Sequence, residues 1–112
     1  MPTFSSCDGD KEHALLLAAE APFETLRLCC ECIALHEKLR GQIRESLLPD
    51  VASGAVLAWG AMYAAAINVR ANTKLLRDRE TAQRLNAEAD ALMGKYWVIA
   101  DNTYEEIFKI YS

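Results

Sequence analysis

The sequence predicts an all-α protein, a small helical bundle around one long apolar helix, and three observations carry that prediction. Apolar residues recur at intervals of three and four along the chain, and nowhere do they alternate with the period of two that a half-buried strand requires. Only three prolines and five glycines interrupt the 112 residues. Gly54 to Ile67 carries no charged residue, and apart from the amphipathic Trp59 and Tyr63 its side chains are small or apolar. A helix that is apolar all round is one that neighbours surround.

Taken in order, residues 1–10 are polar and read as a flexible leader, with residues 11–112 forming a single helical domain. A first short helix is expected over Lys11–Ala21, with Asp10 as its cap. Pro22 then kinks the chain or opens the next helix, where its missing N–H costs little. That second helix runs to about Arg40 and places Phe23, Leu26, Cys29, Cys30, Ile33 and Leu39 on one apolar face, and Gly41 stops it. After Pro49, Asp50 caps a third helix that reaches about Arg77 and is about 40 Å long. A fourth, Glu80 to Lys95, carries a narrower stripe of Ala82, Leu85, Ala89, Leu92 and Met93. Beyond Gly94 a last helix is expected over Thr103–Tyr111, with Tyr104, Ile107, Phe108 and Tyr111 on one face.

Composition narrows the function classes. A hydrophobic content of 52% argues against disorder. A formal net charge of −4 without a basic stripe gives no electrostatic case for nucleic acid. The uncharged run Gly54–Ile67 falls short of the roughly 20 residues a membrane span needs. Four cysteines and no signal sequence point to a reducing, cytoplasmic setting. Four helices cannot easily enclose so apolar a third helix, so the bundle is expected to be completed by homo-oligomerisation, with Gly54, Gly60 and the alanines allowing close approach.

The candidate binding residues follow the apolar run. Asn68 and Asn72 lie four apart and so share a helix face, with Arg70 between them. An amide there needs a partner, whether in the protein or on a ligand. Asn68-Val69-Arg70-Ala71-Asn72, with the helix opening Pro49-Asp50-Val51, resembles part of the formiminotetrahydrofolate cyclodeaminase and methenyltetrahydrofolate cyclohydrolase family, all-helical folate enzymes. Ala18–Phe23, with Pro22, and Leu75-Leu76-Arg77-Asp78 extend the likeness over roughly residues 14 to 93. The resemblance implies a tetrahydrofolate derivative as ligand, the amides of Asn68 and Asn72 on a pterin edge, Arg70 on the glutamate tail, and Asp50 near the site.

The sequence also departs from that family. Its Gly-rich Pro-Gly-Gly-Gly-Ser turn has no counterpart, since Gly9, Gly41, Gly54, Gly60 and Gly94 are all isolated. Ala52 stands where the family usually has Gly, and Ala19 where it usually has Thr. Two functional readings follow. In the first, the chain is an oligomeric small-molecule binding protein for a folate-like or other planar ligand, without efficient catalysis. In the alternative, it is a compact cyclodeaminase or cyclohydrolase that stabilises a tetrahedral centre during water attack or ammonia loss.

One further cluster invites a metal. Cys29, Cys32 and His36 fall at i, i+3 and i+7 on one helical face, a possible zinc set. Buried apolar cysteines are the commoner outcome. No second Cys-x-x-Cys pair completes the set, and Cys7 and His13 lie in or near the leader, so the expectation is no metal.

Overall fold

The computed structural model describes the backbone of residues 4–112 and the side chains from residue 9 onward. It is all-α: three long helices, α1 (Phe4–Leu39), α2 (Leu48–Thr73) and α3 (Arg79–Ile110), with one 3₁₀ turn at Glu45–Leu47 before α2. No strand occurs among the described residues. The helices run up, down and up, and the bundle measures 66 × 21 × 18 Å.

Two predicted breaks are absent. Pro22 lies inside α1, which is continuous over 36 residues. Pro22 removes one backbone donor, but Ala19, Phe23, Leu26, Cys30 and Ile33 continue one buried face straight across it. Packing of that face outweighs the local cost. Gly94 likewise sits inside α3, where Leu85 and Ala89 before it and Ala100, Thr103 and Ile107 after it are all buried. Of the leader, residues 1–3 lie outside the described residues, and α1 begins at Phe4 rather than Lys11. Gly41 sits in the turn that follows α1, as expected.

The apolar helix is present, with shifted ends. Leu48 and Pro49 open α2 and Leu47 occupies the cap position without a side-chain cap, so Asp50 is a first-turn residue and not the cap. Its charge still suits the positive end of the helix dipole. At the other end α2 stops at Thr73, four residues earlier than predicted. Arg79 Nη1 donates to the carbonyls of Thr73 and Leu76 at 2.9 and 3.0 Å, holding the chain in a turn. Glu12 of α1 accepts from the backbone N–H groups of Arg77 and Asp78, both at 2.8 Å. Asp78 then caps α3, accepting from the amide and hydroxyl of Thr81. Those hydrogen bonds hold the Asp78 carboxyl below the usual carboxylate range, the Thr81 hydroxyl being the largest cause.

One chain does not surround α2. Its inner face, with Ala58, Met62, Ala65 and Val69, packs on Leu26, Cys30, Ile33 and Leu85 in the main core. Leu48, Val51 and Ala52 join Ile107 in a smaller cluster near the first turn. Leu57 and Ile67, however, are 72% and 67% exposed. That one chain leaves the apolar helix partly uncovered agrees with the expectation, because two neighbours cover only part of its circumference.

Candidate functional site

Asn68 and Asn72 share a face, as their spacing requires. Each amide turns onto its own helix: Asn68 Nδ2 donates to Ala64 O at 2.8 Å and Asn72 Nδ2 to Asn68 O at 2.9 Å. One N–H of each Nδ2 is thus used within α2, which leaves each amide its Oδ1 acceptor and a second N–H for a partner outside the helix. Asn68 borders an open groove of about 360 Å³ between α1 and α2, lined by Pro22, Thr25, Ala61, Ala64 and Ala65.

Arg70 belongs to a different surface. Two residues from Asn68 is roughly 200° around a helix of 3.6 residues per turn. Arg70 therefore faces α3, where it pairs with Asp90 at 2.6 Å. That ion pair flanks a groove of about 230 Å³ formed by Tyr63, Ala66, Ile67, Ala89 and Met93. Both side chains are 51% exposed, so the pair is worth at most about 1 kcal/mol and Arg70 can be released to a ligand carboxylate. A ligand that touches both amides and Arg70 must pass over the outer ridge of α2 at Ala71.

Asp50 is exposed and lies 18 residues before Asn68 on the same helix, which places it about 27 Å away. A single chain does not bring these two together.

The cysteine and histidine set is occupied otherwise. Among the described residues no group of three potential ligands converges as a metal site would. His36 donates from Nδ1 to Cys32 O at 2.7 Å, and its ring lies directly over Gly54, where a Cβ would overlap the imidazole. Cys30 is buried and its thiol donates to Met62 Sδ at 3.6 Å. Burial, then the neighbouring Cys29 and Glu31, push its pKa up to about 11, while burial also raises that of Cys29. A thiol so shifted is protonated at neutral pH and is no nucleophile. Cys7 lies outside the residues with described side chains.

Sequence reasoning did not find the aromatic group on the α2–α3 side. Trp59 stacks on Trp97 with centroids 6.2 Å apart and meets Tyr63 edge-on, also at 6.2 Å. Trp59 Nε1 is buried without a hydrogen-bond partner among the described residues. The aromatic residues were legible in the sequence, but their meeting depends on the register of α3 against α2.

Comparison with known proteins places these residues in a family context. Residues 8–91 match the family model described as formiminotransferase-cyclodeaminase. Over 96 residues the chain is 27% identical to a methenyltetrahydrofolate cyclohydrolase of Methylorubrum extorquens, an alignment covering 86% of this chain and 46% of that protein. The chain therefore spans about half the length of the curated relative it matches. The family match includes Asp50, Asn68, Arg70 and Asn72, and it bears out the resemblance read from their motif.

Proposed function

Because the chain belongs to the formiminotransferase-cyclodeaminase family, we propose that it binds a folate-like or other planar ligand without turning it over efficiently. The observation that carries this reading is the distribution of the candidate residues on α2. Asn68 and Asn72 offer two acceptors on one edge, suited to the N–H groups of a flat heterocycle. Arg70, on the opposite flank, suits a carboxylate at the far end of an elongated ligand. What a catalyst would add is missing from this arrangement. No described carboxylate, imidazole or thiol is hydrogen-bonded to either amide, and Asp50 is a helix length away. General acid–base chemistry needs such a group within reach of the proton it moves.

Titration of the protein with a tetrahydrofolate derivative tests the reading. Binding is expected at micromolar strength or weaker, about −8 kcal/mol or less favourable. Asn68→Ala and Asn72→Ala are each expected to weaken it by roughly 1–3 kcal/mol, through loss of an acceptor from a ligand group. Arg70→Ala is expected to weaken only ligands that carry a carboxylate tail. Unchanged affinity in both asparagine variants would show that the amides serve the helix alone.

A further inference from the structure

Helices α2 and α3 meet in an antiparallel seam that is pinned at two points. At one, Trp59 stacks on Trp97 and meets Tyr63 edge-on. At the other, Thr73 Oγ1 donates to Asn86 Oδ1 at 2.8 Å, and Thr73 is fully buried. The ring stack and the hydrogen bond lie about 21 Å apart along α2 and together fix the register of the two helices.

Between these points the seam is open. Ala66 and Ala89 are buried there, and two methyl groups leave a trough that larger side chains would fill. The resulting groove of about 230 Å³ has Tyr63, Ile67 and Met93 on its walls and the Arg70–Asp90 pair at its end. From Tyr63 to Arg70 it runs about 10 Å along α2. Tyr63 and Ile67 are 47% and 67% exposed, so apolar surface faces water directly beside two formal charges. Because the seam is fixed on both sides, the groove exists before a ligand arrives, which lowers the ordering cost of binding.

The charge pattern selects the ligand. Arg70 donates from Nη2 to Asp90 Oδ2, and both side chains are half exposed. Asp90 Oδ1 and the rest of the guanidinium edge remain for a partner from outside. A carboxylate alone must displace Asp90 or lie beside it, where like charges repel. An amine alone meets Arg70 in the same way. An uncharged apolar ligand strips water from both charges and returns nothing. A zwitterion set head to tail against the pair satisfies both charges without breaking it. A flat apolar group on that zwitterion would then lie along the groove, against the Tyr63 ring and the Met93 sulfur.

We infer that the α2–α3 groove binds an aromatic α-amino acid, its carboxylate on Arg70, its ammonium on Asp90 and its ring along Tyr63 and Met93. The site does not depend on the function proposed above. It shares Arg70 with the ligand considered there, and only competition between the two ligands would rest on that reading.

Phenylalanine is the probe for this site. The chain's two tryptophans, Trp59 and Trp97, report on it, because Tyr63 joins their stack to the groove. Titration of the ligand-free full chain at neutral pH should change the tryptophan fluorescence saturably, with a Kd of about 1 mM or tighter. Phenylpropanoate lacks the ammonium and phenylethylamine lacks the carboxylate, and each should bind about tenfold more weakly or worse. Alanine, which lacks the ring, should give no response over the same range.

Two variants should reverse the order of ligands, with helicity by circular dichroism unchanged. In Asp90→Asn, phenylpropanoate should bind at least as well as phenylalanine. In Arg70→Gln, phenylethylamine should do so. Unfolding would weaken all three ligands together and cannot produce such a reversal. No saturable response up to about 10 mM phenylalanine would overturn the site. Equal binding of the three aromatic ligands by the wild type would overturn it too, as would alanine binding as tightly as phenylalanine. Variants that keep the wild-type order of ligands would remove Arg70 and Asp90 from the site and overturn the assignment. A chain that binds phenylalanine but no tetrahydrofolate derivative would count against the proposed function and leave this site standing.

Discussion

Leu26→Ala is expected to destabilise the fold by about 2–5 kcal/mol, through lost transfer free energy and the cavity left behind. Leu26 is fully buried and sits on the face of α1 that also carries Phe23, Cys30 and Ile33. It belongs to the cluster in which α1 meets Met62 and Ala65 of α2 and Leu85 and Ala89 of α3. Three helices frame the site, so it cannot collapse by moving one of them. A small domain has only about 5–15 kcal/mol in total, so this loss is a large share of it. Urea unfolding should show the midpoint fall with the slope unchanged. A loss below about 1 kcal/mol would mean that Leu26 is not enclosed as described.

Gly54→Ala is expected to be destabilising by about 1–2 kcal/mol, although alanine in place of glycine inside a helix ordinarily gains up to about 1 kcal/mol. The reversal comes from His36, whose ring occupies the space where a Cβ would stand. To make room, the imidazole must swing away and give up its 2.7 Å hydrogen bond to Cys32 O. The same substitution in a His36→Ala background should instead stabilise the chain by about 0.5–1 kcal/mol, because the obstacle is gone. A double-mutant cycle by urea unfolding measures this coupling directly. The same small effect of Gly54→Ala in both backgrounds would show that the ring and the glycine do not interact.

The sequence made the fold class legible because periodicity is a property of each helix alone. Gly54 to Ile67 reads as helix without any knowledge of its neighbours, and α2 covers it. The helix boundaries were less legible, since they depend on packing. Pro22 and Gly94 are local breaks by propensity, yet the buried stripes cross both, and tertiary contact decides. The end of α2 was set by Arg79 and Glu12, whose hydrogen bonds join segments up to 66 residues apart.

The site divides in the same way. That Asn68 and Asn72 share a face follows from spacing. That their Nδ2 atoms return to the helix backbone, and that Arg70 is held by Asp90, depends on rotamers and on the register of α3, which spacing does not set. Gly54, read as a point of close approach between two copies, instead meets the imidazole of His36 within the same chain. His36, read as a possible metal ligand, is instead packed against that glycine.

The most direct test of the functional account is to incubate the purified chain with methenyltetrahydrofolate and follow binding and hydrolysis in the same sample. The account predicts saturable binding at micromolar strength or weaker, lost by roughly 1–3 kcal/mol in Asn68→Ala, with hydrolysis no faster than in buffer. Robust hydrolysis that depends on Asn68 or Asn72 would contradict it and establish the chain as an enzyme.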